Sequence, residues 1–88
     1  MKIIYSRHAE EQLKERKLSK NLVSRILAKP DQVLAGQKGR RIAQAIVGEE
    51  GVEFLVRVVY EEEGDITEVV TVYRTTKIKK YWRNSNAN

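Results

Sequence analysis

Apolar and polar residues change their rhythm twice along this chain. Lys2 to Tyr5 is short, apolar and β-prone, and it predicts an opening strand. From Ser6 to Lys17 the composition favours helix, and Ser6 supplies a hydroxyl suited to an N-cap. Projected at about 100° per residue, His8, Gln12, Arg16, Ala9 and Leu13 fall on one stripe, with polar groups flanking an apolar centre. Ser19 opens a second helix on which Leu22, Val23, Ile26 and Leu27 make a clean apolar stripe, and Pro30 ends it. Asp31 to Ala35 reads as a short extended segment, and Gly36 to Gly39 as a loop.

Three strands are then expected near 40–47, 52–61 and 65–73, separated by Glu49-Glu50-Gly51 and Glu62-Glu63-Gly64. A three-residue hairpin loop that closes on a left-handed glycine leaves a bulge. With two such loops, Val47 lies opposite Glu53, and Glu61 opposite Asp65. This register sets Ile42, Gln44 and Ile46 beside Val58, Val56 and Phe54, and these beside Glu68, Val70 and Val72. That is a mostly apolar face for the helices to cover. The other face then carries Arg41, Ala43 and Ala45, then Val59, Arg57 and Leu55, then Thr67, Val69, Thr71 and Tyr73.

Composition narrows the picture. With 88 residues and 41% hydrophobic content, the chain supports one core. The expectation is a single α+β domain over 1–83: an N-terminal strand, two helices, a three-stranded antiparallel sheet and a short C-terminal segment. Residues 84–88 read as a disordered tail. The absence of cysteine excludes disulfides and thiolate metal sites and suits a reducing compartment. No apolar run reaches membrane-spanning length and no leader is evident, so a cytoplasmic location, away from membranes, is expected.

The net charge of +5 is unevenly spread. Residues 1–44 hold eleven Lys/Arg against four Asp/Glu, residues 45–73 hold eight acids and Arg57 alone as a base, and residues 74–83 hold five bases and no acid. Basic segments at both ends of the sequence suit an acidic or polyanionic partner. They also serve simply to keep a protein in solution.

The order strand, helix, helix, antiparallel sheet resembles the RelE/ParE superfamily of small bacterial toxins. So do Ser6-Arg7-His8-Ala9 running through Leu13 and Arg16 to Leu18-Ser19, the strand Phe54 to Tyr60, Thr71-Val72-Tyr73-Arg74, and the close Lys80-Tyr81-Trp82. The resemblance spans about residues 4–82 and points to an uncharacterised branch. It implies a RelE-like fold and the toxin of a type II toxin–antitoxin pair, with a cognate antitoxin as protein partner. Most RelE-like members cut mRNA, without a metal and many of them on the ribosome. ParE-like members inhibit DNA gyrase instead, and a non-toxic binding module is the third reading.

Metal-independent RNA cleavage needs a base for the 2′-hydroxyl, cations for the phosphate charge and an acid for the leaving oxygen. The resemblance implies that Arg, Lys, Tyr and sometimes His or Glu on an open sheet face supply them. On the expected open face Arg41, Arg57 and Tyr73 are the catalytic candidates, with Ala43, Ala45 and Thr71 leaving room for a nucleotide. Arg57 stands out, because a charge in mid-strand among apolar residues is costly unless that face meets water or a ligand. His8, the one histidine, joins the catalytic candidates as a base, near the positive end of the helix dipole. Its alternative is a local hydrogen bond that seats the helix. Arg74, Lys77, Lys80 and Tyr81 are the RNA-binding candidates, mixing cations with a stacking ring. Arg16 is read as a structural ion-pair residue, toward Asp31 or Glu15. Trp82 is read as a structural residue packed with Ile78 one turn away. No metal site and no cofactor are expected.

Overall fold

In the computed structural model residues 1–84 are described. Of the expected tail, only Asn84 falls within them, and the rest lies outside the described residues. The elements follow one another as β1 (Lys2–Tyr5), α1 (Arg7–Arg16), α2 (Lys20–Ala28), β2 (Gln32–Ala35), a 3-10 turn (Gln37–Gly39), β3 (Arg41–Glu49), β4 (Val52–Glu63), β5 (Ile66–Thr75) and α3 (Ile78–Tyr81).

The helices begin where their caps allow. Ser6 Oγ accepts from the Ala9 N–H at 3.0 Å, and Ser19 Oγ accepts from the Leu22 N–H at 3.0 Å. Helix α1 ends on Lys17 in the left-handed region, after which the Leu18 N–H reaches back to the Leu13 carbonyl at 2.9 Å.

The sheet has five strands rather than three, in the order β1-β5-β4-β3-β2. The opening strand joins it parallel to β5, and the extended segment after Pro30 joins it antiparallel to β3. The expected three strands are its centre. Both added strands are only four residues long, so neither is stable alone.

The hairpins correct the expected register. Glu49 pairs with Val52, so Glu50 and Gly51 form a two-residue loop, with φ of 52° and 80°. Two positive φ values are the signature of a type I′ turn, whose twist suits a tight hairpin. Glu63 pairs with Ile66 across Gly64 and Asp65, with Gly64 at φ 61°. Each loop is thus one residue shorter than the glutamate-rich triplets suggested. The bulge sits instead inside β5, where Val59 faces Thr71 but Tyr60 faces Val69, leaving Val70 as the extra residue.

A one-residue slip turns a strand over. Ala43 and Ala45, opposite Val58 and Val56, therefore lie under the helices, and they do not leave room for a nucleotide on an open face. Ile42, Gln44 and Ile46 go to the other side, opposite Val59, Arg57 and Leu55. The core joins Ala9 and Leu13 of α1 and Val23 and Ile26 of α2 to Ala43, Ala45, Val56, Val58, Tyr60, Val69 and Val72. The β5 bulge brings Val69 and Val72 to the same side, three residues apart.

Past the end of β1, the outer edge of β5 is served by α1. Ser6 Oγ donates to the Val70 carbonyl at 3.1 Å, and Gln12 Oε1 accepts from the Val72 N–H at 3.0 Å. The polar flank of the α1 stripe thus has a use in seating the bulge. Ser6→Ala removes a helix cap and strands the bulged carbonyl, at a combined cost of about 2 kcal/mol. Its melting temperature should fall by about 8–16 °C in a circular-dichroism melt. Tyr5 ends β1 with a hydroxyl sealed from solvent beside Ser24. Burial raises its pKa, while Ser24 and the Lys20 charge pull the other way.

Candidate functional site

Arg57 sits at the middle of β4, directly opposite Tyr73 on β5 and Gln44 on β3. All three face away from α1 and α2. The sequence reading left this face open, but α3 and the residues after it fold back across it. Arg57 is consequently 7% exposed and Gln44 fully buried.

The hydrogen bonds run in one direction. A guanidinium only donates. Arg57 Nε donates to Gln44 Oε1 at 2.8 Å, so Gln44 must turn its amide nitrogen outward. That nitrogen donates to Gln32 Oε1 at 2.8 Å and to the Tyr81 carbonyl at 3.2 Å. Gln32 in turn donates to the Arg83 carbonyl and accepts from the Arg83 N–H at 3.0 Å. Two glutamines thus tie the C-terminal segment to the sheet and hold the arginine beneath it.

Arg57 has no carboxylate partner: the five ion pairs among the described residues all lie elsewhere. Its neighbours are aromatic. Its Nη1 donates to the Tyr73 hydroxyl. The guanidinium carbon lies 4.4 Å from the Tyr81 ring centre and 5.6 Å from that of Tyr73. The two rings meet edge to face at 6.2 Å, and Lys80 Nζ lies 5.4 Å from the Tyr81 ring centre. Arg57 keeps 7% exposure, and its Nη2 makes no hydrogen bond among the described residues. A largely buried cation with no counter-charge among the described residues, flanked by two phenols, is equipped to receive an anion.

Of the candidate residues, the fold brings together Arg57, Tyr73, Tyr81 and Lys80. Arg41 is not among them. It is exposed at the start of β3 and shares the strand parity of Ala43 and Ala45, the reverse of the expected placement. His8 is exposed in the first turn of α1, in the helix layer beyond the sheet. Arg74 also lies on the helix side, paired with Glu49 at 3.1 Å and set over the Phe54 ring at 4.6 Å. Lys77 is exposed just before α3, its N–H bound to Thr75 Oγ1 at 3.0 Å. Arg16 is half-buried, its Nη1 4.0 Å from Glu15, while Asp31 serves the Ile46 N–H instead. Trp82 is half-buried, and its N–H closes α3 onto the Ile78 carbonyl at 2.8 Å. Gln32 and Gln44 were missed. A glutamine centred between Ala43 and Ala45 was the available signal, since a buried amide needs partners as much as Arg57 does. Among the described residues no group of His, Cys, Asp or Glu side chains is placed to hold a metal ion, and no helix is long and apolar enough to cross a membrane.

No curated protein and no solved structure matches the chain. One family model does, described as a domain of unknown function (DUF4258), over residues 5–74. The match takes in Gln32, Gln44, Arg57 and Tyr73 and stops before Lys80 and Tyr81. It covers well over half of the sequence, and the chain belongs to the DUF4258 family.

Proposed function

We propose that this protein is the toxin of a type II toxin–antitoxin pair on RelE/ParE-like lines, and that it cuts RNA without a metal at the Arg57 cluster. The observation that carries this reading is the buried Arg57 guanidinium without a carboxylate, held between Tyr73 and Tyr81. In that chemistry Arg57 takes the charge that builds on the phosphate as the 2′-hydroxyl attacks. The Tyr73 hydroxyl, held by Arg57, gives its proton to the leaving 5′-oxygen. Tyr81 offers a face to a base, and Lys80 adds a contact to a neighbouring phosphate. With His8 and the carboxylates elsewhere, the 2′-hydroxyl proton passes to water. The reading carries with it RNA as substrate, on or off the ribosome, an antitoxin as partner, and the cytoplasm as the place of action.

A second reading has its own support. The glutamine-tied C-terminal segment covers Arg57, which favours a ParE-like inhibitor that binds a target such as gyrase and leaves RNA intact.

Induced expression with mapping of RNA ends separates the two. The first reading expects growth arrest with new RNA ends. Tyr73→Phe should keep the fold and reduce cleavage about 100-fold, the usual range for a lost general acid. Arrest with DNA damage and unchanged RNA selects the inhibitor, and unimpaired growth defeats both.

A further inference from the structure

Strand β3 outruns its outer neighbour. Strand β2 pairs with it from Arg41 to Gln44, whereas β3 continues to Glu49. The two-residue loop closes on the Glu49–Val52 pair, so odd-numbered residues of β3 turn their backbone groups to β4. Even-numbered ones turn theirs outward. Asp31 serves the first of these, its N–H donating to the Gln44 carbonyl at 3.0 Å and its Oδ2 accepting from the Ile46 N–H at 2.9 Å. Beyond Asp31, the Ile46 carbonyl and both backbone groups of Gly48 face outward without a partner among the described residues. A side chain added at Gly48 would meet nothing within 4 Å. The devices that normally blunt an edge (a proline, a bulge, an inward charge) are missing from Ile46 to Gly48.

Both sides of this edge are hollow. On the helix side a hollow of about 430 Å³ runs beneath α2, where Leu22 and Ile26 are rimmed by Arg25 and Lys29. On the other side a hollow of about 510 Å³ lies between Ile46, Ile78 and Trp82, with Lys79 at its rim. Arg25, Lys29 and Lys79 make no ion pair among the described residues, and Asp31 is the one acid on either rim. Strand side chains alternate between faces, so a strand laid beside Ile46–Gly48 sends successive residues into the two hollows. The opposite sheet edge differs in charge: Ile4 of β1 lies in a groove with Glu61, Glu63 and Glu68, which repel an acidic segment.

We propose that the open β3 edge at Ile46–Gly48 is a docking site for an extended acidic segment of a partner protein. The segment adds as a sixth strand, pairs with Gly48, sets alternate apolar side chains into the two hollows and places carboxylates on Arg25, Lys29 and Lys79. This surface is separate from the Arg57 centre, and the proposal stands whether or not the chain cuts RNA.

The test is an amide-resolved NMR titration of the whole protein with two synthetic peptides of about nine residues. One alternates Val and Leu with Asp and Glu, and the control carries Lys in place of each acid. The acidic peptide should bind, slow exchange of the Gly48 amide and shift Gly48 and Ile46, and the control should not bind. Gly48→Pro removes the outward N–H while leaving the ladder to β4 intact, and should weaken binding at least about tenfold. Should Gly48→Pro lose its fold by circular dichroism, the double variant Arg25→Glu/Lys29→Glu, exposed on α2 and at its C-cap, should show the same loss of binding. Absence of binding, equal binding of both peptides, or shifts that map away from Gly48 would overturn the proposal. So would a Gly48 amide already protected in a self-associated form of the protein.

Discussion

Arg57→Ala should lower the melting temperature by about 12–24 °C, a loss of about 3 kcal/mol. The loss has separable parts. Gln44 Oε1, fully buried, forfeits its donor at 2.8 Å, and a stranded buried acceptor costs about 1–3 kcal/mol. The stacking of the guanidinium on Tyr81 and Tyr73 disappears, at about 0.5–2 kcal/mol per contact in a desolvated setting. A cavity is left under α3. Against these stands one gain, because a buried cation without a counter-charge is itself unfavourable. The net cost is therefore smaller than the sum of the contacts. Arg57→Lys keeps the charge but lacks the planar fork that reaches Gln44 and Tyr73 together. It should fall between Arg57→Ala and the parent in a thermal melt. A melting temperature within 3 °C of the parent for Arg57→Ala, on the scale of about 4–8 °C per kcal/mol, would mean that the arginine holds nothing together.

The elements were legible in the sequence where a local cause fixes them. Ser6 and Ser19 announce two helices because their hydroxyls meet local N–H groups, and Pro30 ends the second for an equally local reason. Pairings between distant segments were not legible. Lys2–Tyr5 is a strand whose partner, Ile66–Val69, lies more than sixty residues away, and nothing local specifies a parallel match. The candidate site was half legible for the same reason. Arg57 and Tyr73 share a face under the expected register and under the observed one, so their meeting survives the error. Arg41 does not survive it, since the slip in β3 moves it to the helix side, and Arg74, the residue after Tyr73 on β5, falls on the helix side by simple alternation. The closing of the site by α3 was out of reach, because it rests on hydrogen bonds donated by the Gln44 side-chain amide to the Tyr81 carbonyl and by the Gln32 side-chain amide to the Arg83 carbonyl.

Register carries such weight that it supplies the prediction with the greatest effect. Ala43 and Ile42 are neighbours, and residue type alone marks isoleucine as the core residue. The structure reverses this: Ala43 is 1% exposed beneath the helices, opposite Val58, whereas Ile42 is partly exposed on the far side. Ala43→Glu forces a carboxyl group and one further methylene into a packed layer bounded by Val58 and the helices. Overpacking and an unpaired buried charge add there, for a cost of about 4 kcal/mol or more. A domain of 88 residues holds roughly 4–13 kcal/mol of stability in all, so this variant should be largely unfolded at 37 °C. Ile42→Glu, at the far side with one end open to water, should cost about 1 kcal/mol and keep a dispersed NMR spectrum. The expected register, with Ile42 inward and Ala43 outward, demands the opposite ranking. A folded Ala43→Glu beside an unfolded Ile42→Glu would return the strand to that register, and with it Arg41 to the face of Arg57.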